Sequence, residues 1–132
     1  MEREIVCLDT SILIDYFRKK SKEETTFYKL SEHPYSFAVT SITTFEIYRG
    51  VTQLQKHFWD AVFDQMEIIP FDDGASKIAA SLIQRPNLKN NLIALTGLFI
   101  AAIAIQKQIK LATLNRKHFE KIVELELLPA FE

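Results

Sequence analysis

The residues from Ile5 to Phe17 constrain this chain more than any other stretch. Four apolar residues ending in Leu8 are followed by Asp9-Thr10-Ser11, and then by a run with Ile12, Leu13, Tyr16 and Phe17 at helical spacing. A short, continuous apolar run reads as a strand covered on both faces, as in a parallel sheet. Asp9 then stands where the strand ends, and in open α/β sheets ligands bind outside the carboxyl ends of the strands. A carboxylate there can cap the next helix, although Thr10 and Ser11 can do that equally well.

The same alternation continues. Helices are expected over Ser11–Arg18 and Lys22–Ser31, a strand over Tyr35–Thr40, and helices over Ser41–Gly50, with Gly50 as its stop, and Thr52–Asp64. A strand at Glu67–Pro70 precedes a helix capped by Asp72 or Asp73 that runs through Ala75, Ile78, Ala79 and Leu82. After a polar break at Pro86–Asn91 comes the most apolar helix, Ile93–Gln106, then a strand at Lys110–Thr113 and a last helix at Arg116–Glu124. The pattern predicts one α/β domain over residues 1–132: a three-layer sandwich whose mainly parallel sheet of four or five strands is flanked by helices.

Composition narrows the function. A net charge of −1 provides no global basic field for nucleic acid, which disfavours tight nonspecific binding but not an enzyme touching a few phosphates. The single cysteine, Cys7, sits in the first apolar run and reads as a buried hydrophobe; no disulfide or zinc spacing is present. Glu2 and Glu4 precede an apolar run too short for a signal peptide, and Leu98–Ile105 is too short to span a membrane. A cytoplasmic protein is expected. Trp59, Phe63, Phe58 and Tyr28 supply either core packing or an interface.

Three acids stand out: Asp9, Asp15 and Glu46. Locally, Thr43-x-x-Glu46 matches a capping box, Glu46 can pair with Arg49, and Asp15 with Arg18. Brought together at one sheet edge, such acids would make an oxygen-rich site for Mg²⁺ or Mn²⁺, able to activate water and clamp a phosphodiester.

These motifs together resemble the PIN-domain ribonucleases, in particular the VapC toxins of toxin–antitoxin pairs. Leu8-Asp9-Thr10-Ser11-Ile12-Leu13-Ile14-Asp15-Tyr16-Phe17 is similar to their opening motif, and Ser41 to Gly50 around Glu46 to their second. Leu98 to Ala104 and Leu111 to Phe119 resemble the third and fourth. The resemblance spans almost the whole chain. It implies a metal-dependent endoribonuclease in which Asp9 and Glu46 hold Mg²⁺, with Asn115 joining them in the catalytic centre. Thr10 or Ser11 and Thr113 would hydrogen-bond the acids and their waters, with Asp15 in reserve, and Arg116, Lys117 and His118 would contact RNA. A small antitoxin lying across the groove and a homodimer are implied as partners, and no membrane.

The pattern breaks at one place. The third motif should begin with an aspartate, and this chain has Gly97 there, a residue that costs a helix interior roughly 1 kcal/mol relative to alanine. The expected outcome is a nuclease impaired at one metal-ligand position; the alternative is an inactive PIN-like interaction module. A receiver domain would need a second acid beside Asp9 and a late strand-end lysine. A phosphatase using an aspartate nucleophile would need an acid where Ser11 stands.

Overall fold

In the computed structural model, which describes residues 3–89 and 94–129, the first strand β1 (Glu4–Leu8) occupies the middle of the sheet. β2 (Tyr35–Thr40) pairs with it from Glu4↔Tyr35 to Cys7↔Ala38, and β4 (Lys110–Ala112) pairs on its other side from Val6↔Lys110 to Leu8↔Ala112. With β3 (Glu67–Ile69) outside β2, the order is β3-β2-β1-β4, and every pairing is parallel. The chain leaves β1 toward β2 on one side and returns from β3 to place β4 on the other, so the strand order reverses beside β1, and the carboxyl ends there form the switch point where such sheets open a crevice. The expected sandwich is therefore present, with four strands among the described residues.

Side-chain alternation along β1 assigns the two helical layers. Val6 and Leu8 join one core with Ile12 and Leu13 of α1 (Thr10–Arg18), Leu30 of α2 (Thr26–Ser31), Ile47 of α3 (Ser41–Tyr48), and Trp59 and Phe63 of α4 (Gln53–Asp64). Cys7 faces the opposite core, with Leu82 of α5 (Asp73–Ile83) and Leu98, Ile100, Ala101 and Ala104 of α7 (Leu95–Lys107). α7 buries Ile100 to Ala104 without interruption, as expected of a helix with no polar face. Pro86–Lys89 forms a one-turn helix, α6. The rest of the expected polar break, Asn90 and Asn91, and the expected helix start at Ile93 lie outside the described residues.

Some boundaries differ from expectation. Lys22–Ser31 is split into a 3₁₀ turn (Lys22–Glu24) and α2, because the buried Thr25 hydroxyl accepts the Tyr28 amide and caps a new helix. α3 begins at Ser41 under a Thr40 cap, so Thr43 is inside the helix and does not open a capping box; the capping box belongs to Thr52 and Gln55 on α4. Gly50 lies beyond the end of α3 and has no positive φ. The last helix, α8, covers only Arg116–Phe119. Beyond it the chain turns so that Ile122, Leu125 and Leu128 are buried, and Leu111 exchanges backbone bonds with Glu126 and Leu128. A continued helix could not bring that backbone to the edge of β4. Trp59 and Phe63 are core residues and Phe58 packs against them, so among the four aromatics considered for an interface only Tyr28 is exposed.

Replacing the fully buried Leu13 by alanine should cost about 2–5 kcal/mol of unfolding free energy. Leu54→Ala, on a side chain 82% exposed, should stay within about 0.5 kcal/mol. Urea denaturation followed by circular dichroism checks both.

Candidate active site

Asp9 follows the last residue of β1, and its amide bonds the Ala112 carbonyl at 2.9 Å, which fixes it beside the end of β4. It occupies the N-cap position of α1 but makes no side-chain cap. Instead Oδ2 accepts two hydroxyl donors, Ser11 Oγ at 2.7 Å and Thr113 Oγ1 at 2.8 Å. Each hydroxyl has one proton, and both protons go to Asp9. Their lone pairs accept backbone amides in turn, Leu114 N–H at Ser11 Oγ (3.1 Å) and Asn115 N–H at Thr113 Oγ1 (3.0 Å). A buried carboxylate is thus satisfied on one oxygen, and the β4–α8 turn is tied to it.

Glu46 is held by a second hydroxyl chain. Thr10 Oγ1 donates to Glu46 Oε1 at 2.8 Å and lies 2.9 Å from Thr43 Oγ1. Because the Thr10 proton is spent on the carboxylate, the Thr43 hydroxyl donates to Thr10. Thr43 is fully buried, and it is the supporting residue that sequence reasoning missed. Its only sequence signal was the spacing Thr43-x-x-Glu46, which fits a cap as well as it fits a shared helix face. Arg49 does not pair with Glu46; its guanidinium lies over the Phe45 ring.

Asp9 and Glu46 open onto one cleft of about 270 Å³, whose walls include Thr10, Ser11 and Ile14 of α1. The start of α7, with Ala94, Thr96 and Gly97, and Asn115 and His118 at α8 line it as well. Gly97 therefore lines the same cleft as both acids. The N-cap positions of α1, α7 and α8 carry no side-chain cap. Helix N-termini favour negative charge, which helps the fold tolerate two acids in one cleft.

The remaining predicted residues divide. Lys117 is exposed on α8. Arg116 lies away from the cleft: Nη1 donates to the Leu128 carbonyl at 2.6 Å, so its guanidinium closes the C-terminal segment. Asp15 is also placed elsewhere. It lies a turn beyond Ser11, pairs with Lys19 at 3.0 Å in place of Arg18, and is not among the cleft residues. Its Oδ2 is buried with no partner among the described residues.

The side-chain bonds described for the two cleft acids fall on Asp9 Oδ2 and Glu46 Oε1, which leaves Oδ1 and Oε2 for a ligand. Among the described residues no three of His, Cys, Asp or Glu are grouped to hold a metal. Two carboxylates with room for water fit Mg²⁺, which takes one or two and keeps several waters, better than a closed zinc site.

The PIN domain model matches residues 6–125. The chain belongs to the PIN domain family. It is similar to ribonuclease VapC1 of Methanocaldococcus jannaschii, 34% identical over 135 aligned positions that cover 96% of this chain and 87% of that protein. Ribonuclease VapC3 of the same organism is 30% identical and covers 73% of this chain and 94% of its own length. Among solved structures, the fold matches VapBC2 from Rickettsia felis bound to a promoter DNA fragment with a TM-score of 0.76 at 23% identity, over 96% of this chain and 99% of that one. This PIN domain therefore has the expected fold, and its cleft acids stand at the carboxyl end of its sheet. No helix among its described residues is long and apolar enough to cross a membrane.

Beneath the cleft, burial and the neighbouring Asp9 carboxylate push the Cys7 thiol up to about 12. The folded PIN domain should leave Cys7 unlabelled by a thiol reagent at neutral pH, and labelling should appear only across the urea unfolding transition.

Proposed function

We propose that this chain is a Mg²⁺-dependent endoribonuclease toxin of the VapC type, weakened by Gly97. The observation that carries this reading is the pair Asp9 and Glu46 in one cleft, each held by hydroxyls on one oxygen and free on the other. The names of the two curated relatives support ribonuclease chemistry.

Asp9 and Glu46 would hold the cation. When bound, Mg²⁺ would supply charge neutralisation at the scissile phosphodiester and an activated water. The chain's own residues do the positioning. Ser11 and Thr113 fix the Asp9 carboxylate, and Thr10, backed by Thr43, fixes that of Glu46. Asn115 and His118 face the substrate from the α8 side, and Lys117 is available to phosphate at the rim. Gly97 supplies no carboxylate from the α7 wall, so the cation rests on two acids.

A small antitoxin that covers the cleft, a homodimeric state and a cytoplasmic location complete the proposal. The antitoxin is supported by the fold neighbours, which include VapBC2 and a toxin–antitoxin complex from Klebsiella pneumoniae. One observation favours a second reading, an inactive interaction module: position 97, at the cleft, has no side chain to offer.

Gly97→Asp should strengthen Mg²⁺ binding and RNA cleavage by at least about ten-fold, the lower end of what even an indirect metal partner contributes. Calorimetric titration of Mg²⁺ and a gel assay on total RNA measure the two. Asp9→Asn in the restored protein should abolish cleavage. If Gly97→Asp neither cleaves RNA nor slows the growth of cells expressing it, the nuclease reading fails and the interaction module stands.

A further inference from the structure

The stretch after α8 does more than close the edge of β4. Leu125 is buried in one core and Leu128 in the other, so this backbone is anchored on both sides of the sheet. The Leu111 amide donates to the Glu126 carbonyl at 3.0 Å, and the Leu128 amide donates to the Leu111 carbonyl at 2.8 Å. The Leu128 carbonyl then accepts Arg116 Nη1, from the first residue of α8, at 2.6 Å. One residue thus grips β4 through its amide and α8 through its carbonyl. Between the two grips runs the turn over residues 112–115, which brings the Thr113 hydroxyl to Asp9 and Asn115 to the cleft. The Leu114 and Asn115 amides in that turn bond side-chain hydroxyls and not a strand ladder. α8 itself has four residues, far too few for a helix to persist without outside contacts. Its end is fixed by the buried Phe119, and its start by Arg116.

We propose that Arg116 is a positioning residue: by clamping the start of α8 to Leu128, it sets the 112–115 turn and, through Thr113, the orientation of the Asp9 carboxylate. The clamp is independent of the nuclease reading, and its effect on the reaction rests on that reading. An ionised donor makes a hydrogen bond roughly twice as strong as a neutral one, and the planar guanidinium loses less freedom per bond than a flexible chain. A phosphate contact, the role the motif resemblance implies for Arg116, calls for a guanidinium free to meet RNA. Lys117 on the same helix is exposed and suits that role, whereas Arg116 is half-buried and bonded across twelve residues of chain.

Amide hydrogen exchange of the full chain, read by NMR with neither metal nor RNA, measures the clamp. Arg116→Met should speed exchange of the Leu114 and Asn115 amides about ten-fold, the lower end of what one charge-assisted hydrogen bond holds closed. The cap amides of Gln55 and Ala75, in the first turns of α4 and α5, open locally elsewhere and should keep their rates. Arg116→Lys, which keeps a charged donor, should restore protection. Arg116→Gln, whose amide stops short of the carbonyl, should not, and it carries the test if Arg116→Met does not fold. In the Gly97→Asp protein, Arg116→Met should raise the Mg²⁺ needed for half-maximal cleavage about three-fold and leave KM for RNA unchanged, a smaller effect than losing a direct partner of a ligand. In a Thr113→Val background that effect should vanish, because the two residues act in series. Leu114 and Asn115 exchange that moves no more than that of Gln55 and Ala75 overturns the proposal. So does a loss that falls on KM and on the salt dependence of RNA binding, which would put Arg116 on a phosphate. The two readings fail separately. Arg116-dependent exchange in a chain whose Gly97→Asp form cleaves no RNA sinks only the nuclease. Cleavage by Gly97→Asp whose Mg²⁺ dependence Arg116→Met leaves unaltered sinks only the positioning role.

Discussion

The two hydroxyl protons that converge on Asp9 Oδ2 hold this site together. Ser11 lies in the first turn of α1, Thr113 directly follows β4, and the amides they accept belong to the turn into α8. One carboxylate oxygen therefore ties together two pieces of chain that lie 104 residues apart in sequence. The strand register makes this possible, since Leu8 lies opposite Ala112 and the next residue on each strand emerges at the same level. Asn115 and His118 owe their place at the cleft to that tie. A neutral side chain of the same shape at position 9 would accept the bonds less strongly, because hydrogen bonds to an ionised acceptor are roughly twice as strong as neutral ones.

The arrangement has a cost that is visible in the helix ends. Away from the acids, Thr25, Thr52 and Asp72 cap α2, α4 and α5 with their side chains, and Thr40 does the same for α3. The helices that open on the cleft, α1, α7 and α8, have none. A cap is typically worth about 1 kcal/mol. Forgoing it leaves amide dipoles facing a cleft that holds two carboxylates, where they favour negative charge. Asp9 shows the exchange directly, because it sits at an N-cap and its carboxylate is used elsewhere.

The fold was legible because Val6-Cys7-Leu8 and the uninterrupted apolar run of α7 leave little choice but a covered parallel sheet. Boundaries were less so where a single hydroxyl or a buried turn decides them, as at Thr25 and beyond Phe119. In the site, the acids were legible as motif positions, but the residues that hold them were only partly so. Thr43 meets Thr10 across 33 residues, a contact that no local pattern encodes. Arg116 and His118 were indistinguishable as neighbours in a basic run, yet the turn of α8 sends one to the Leu128 carbonyl and the other to the cleft. Helical spacing alone offered Arg49 to Glu46 as a partner; in the fold Thr10 bonds Oε1 of the acid and Arg49 lies over Phe45.

Gly97 bears on what the acids are for. A cleft serving only to dock a partner has no need of the buried Thr43 and Thr10 hydroxyls or of a buried Asp9, because polar pairs replaced together by apolar groups of the same shape can be nearly neutral. Keeping them incurs desolvation, and it is repaid only if each carboxylate must stay charged, oriented and half-free. Cation binding, as proposed, would impose that requirement. An acid at position 97 would raise the charge the cleft offers a cation, and it would also add one source of repulsion to the protein without metal. With Gly97 the pair Asp9 and Glu46 is easier to keep folded and, on the proposed nuclease reading, would hold a cation less tightly than three acids.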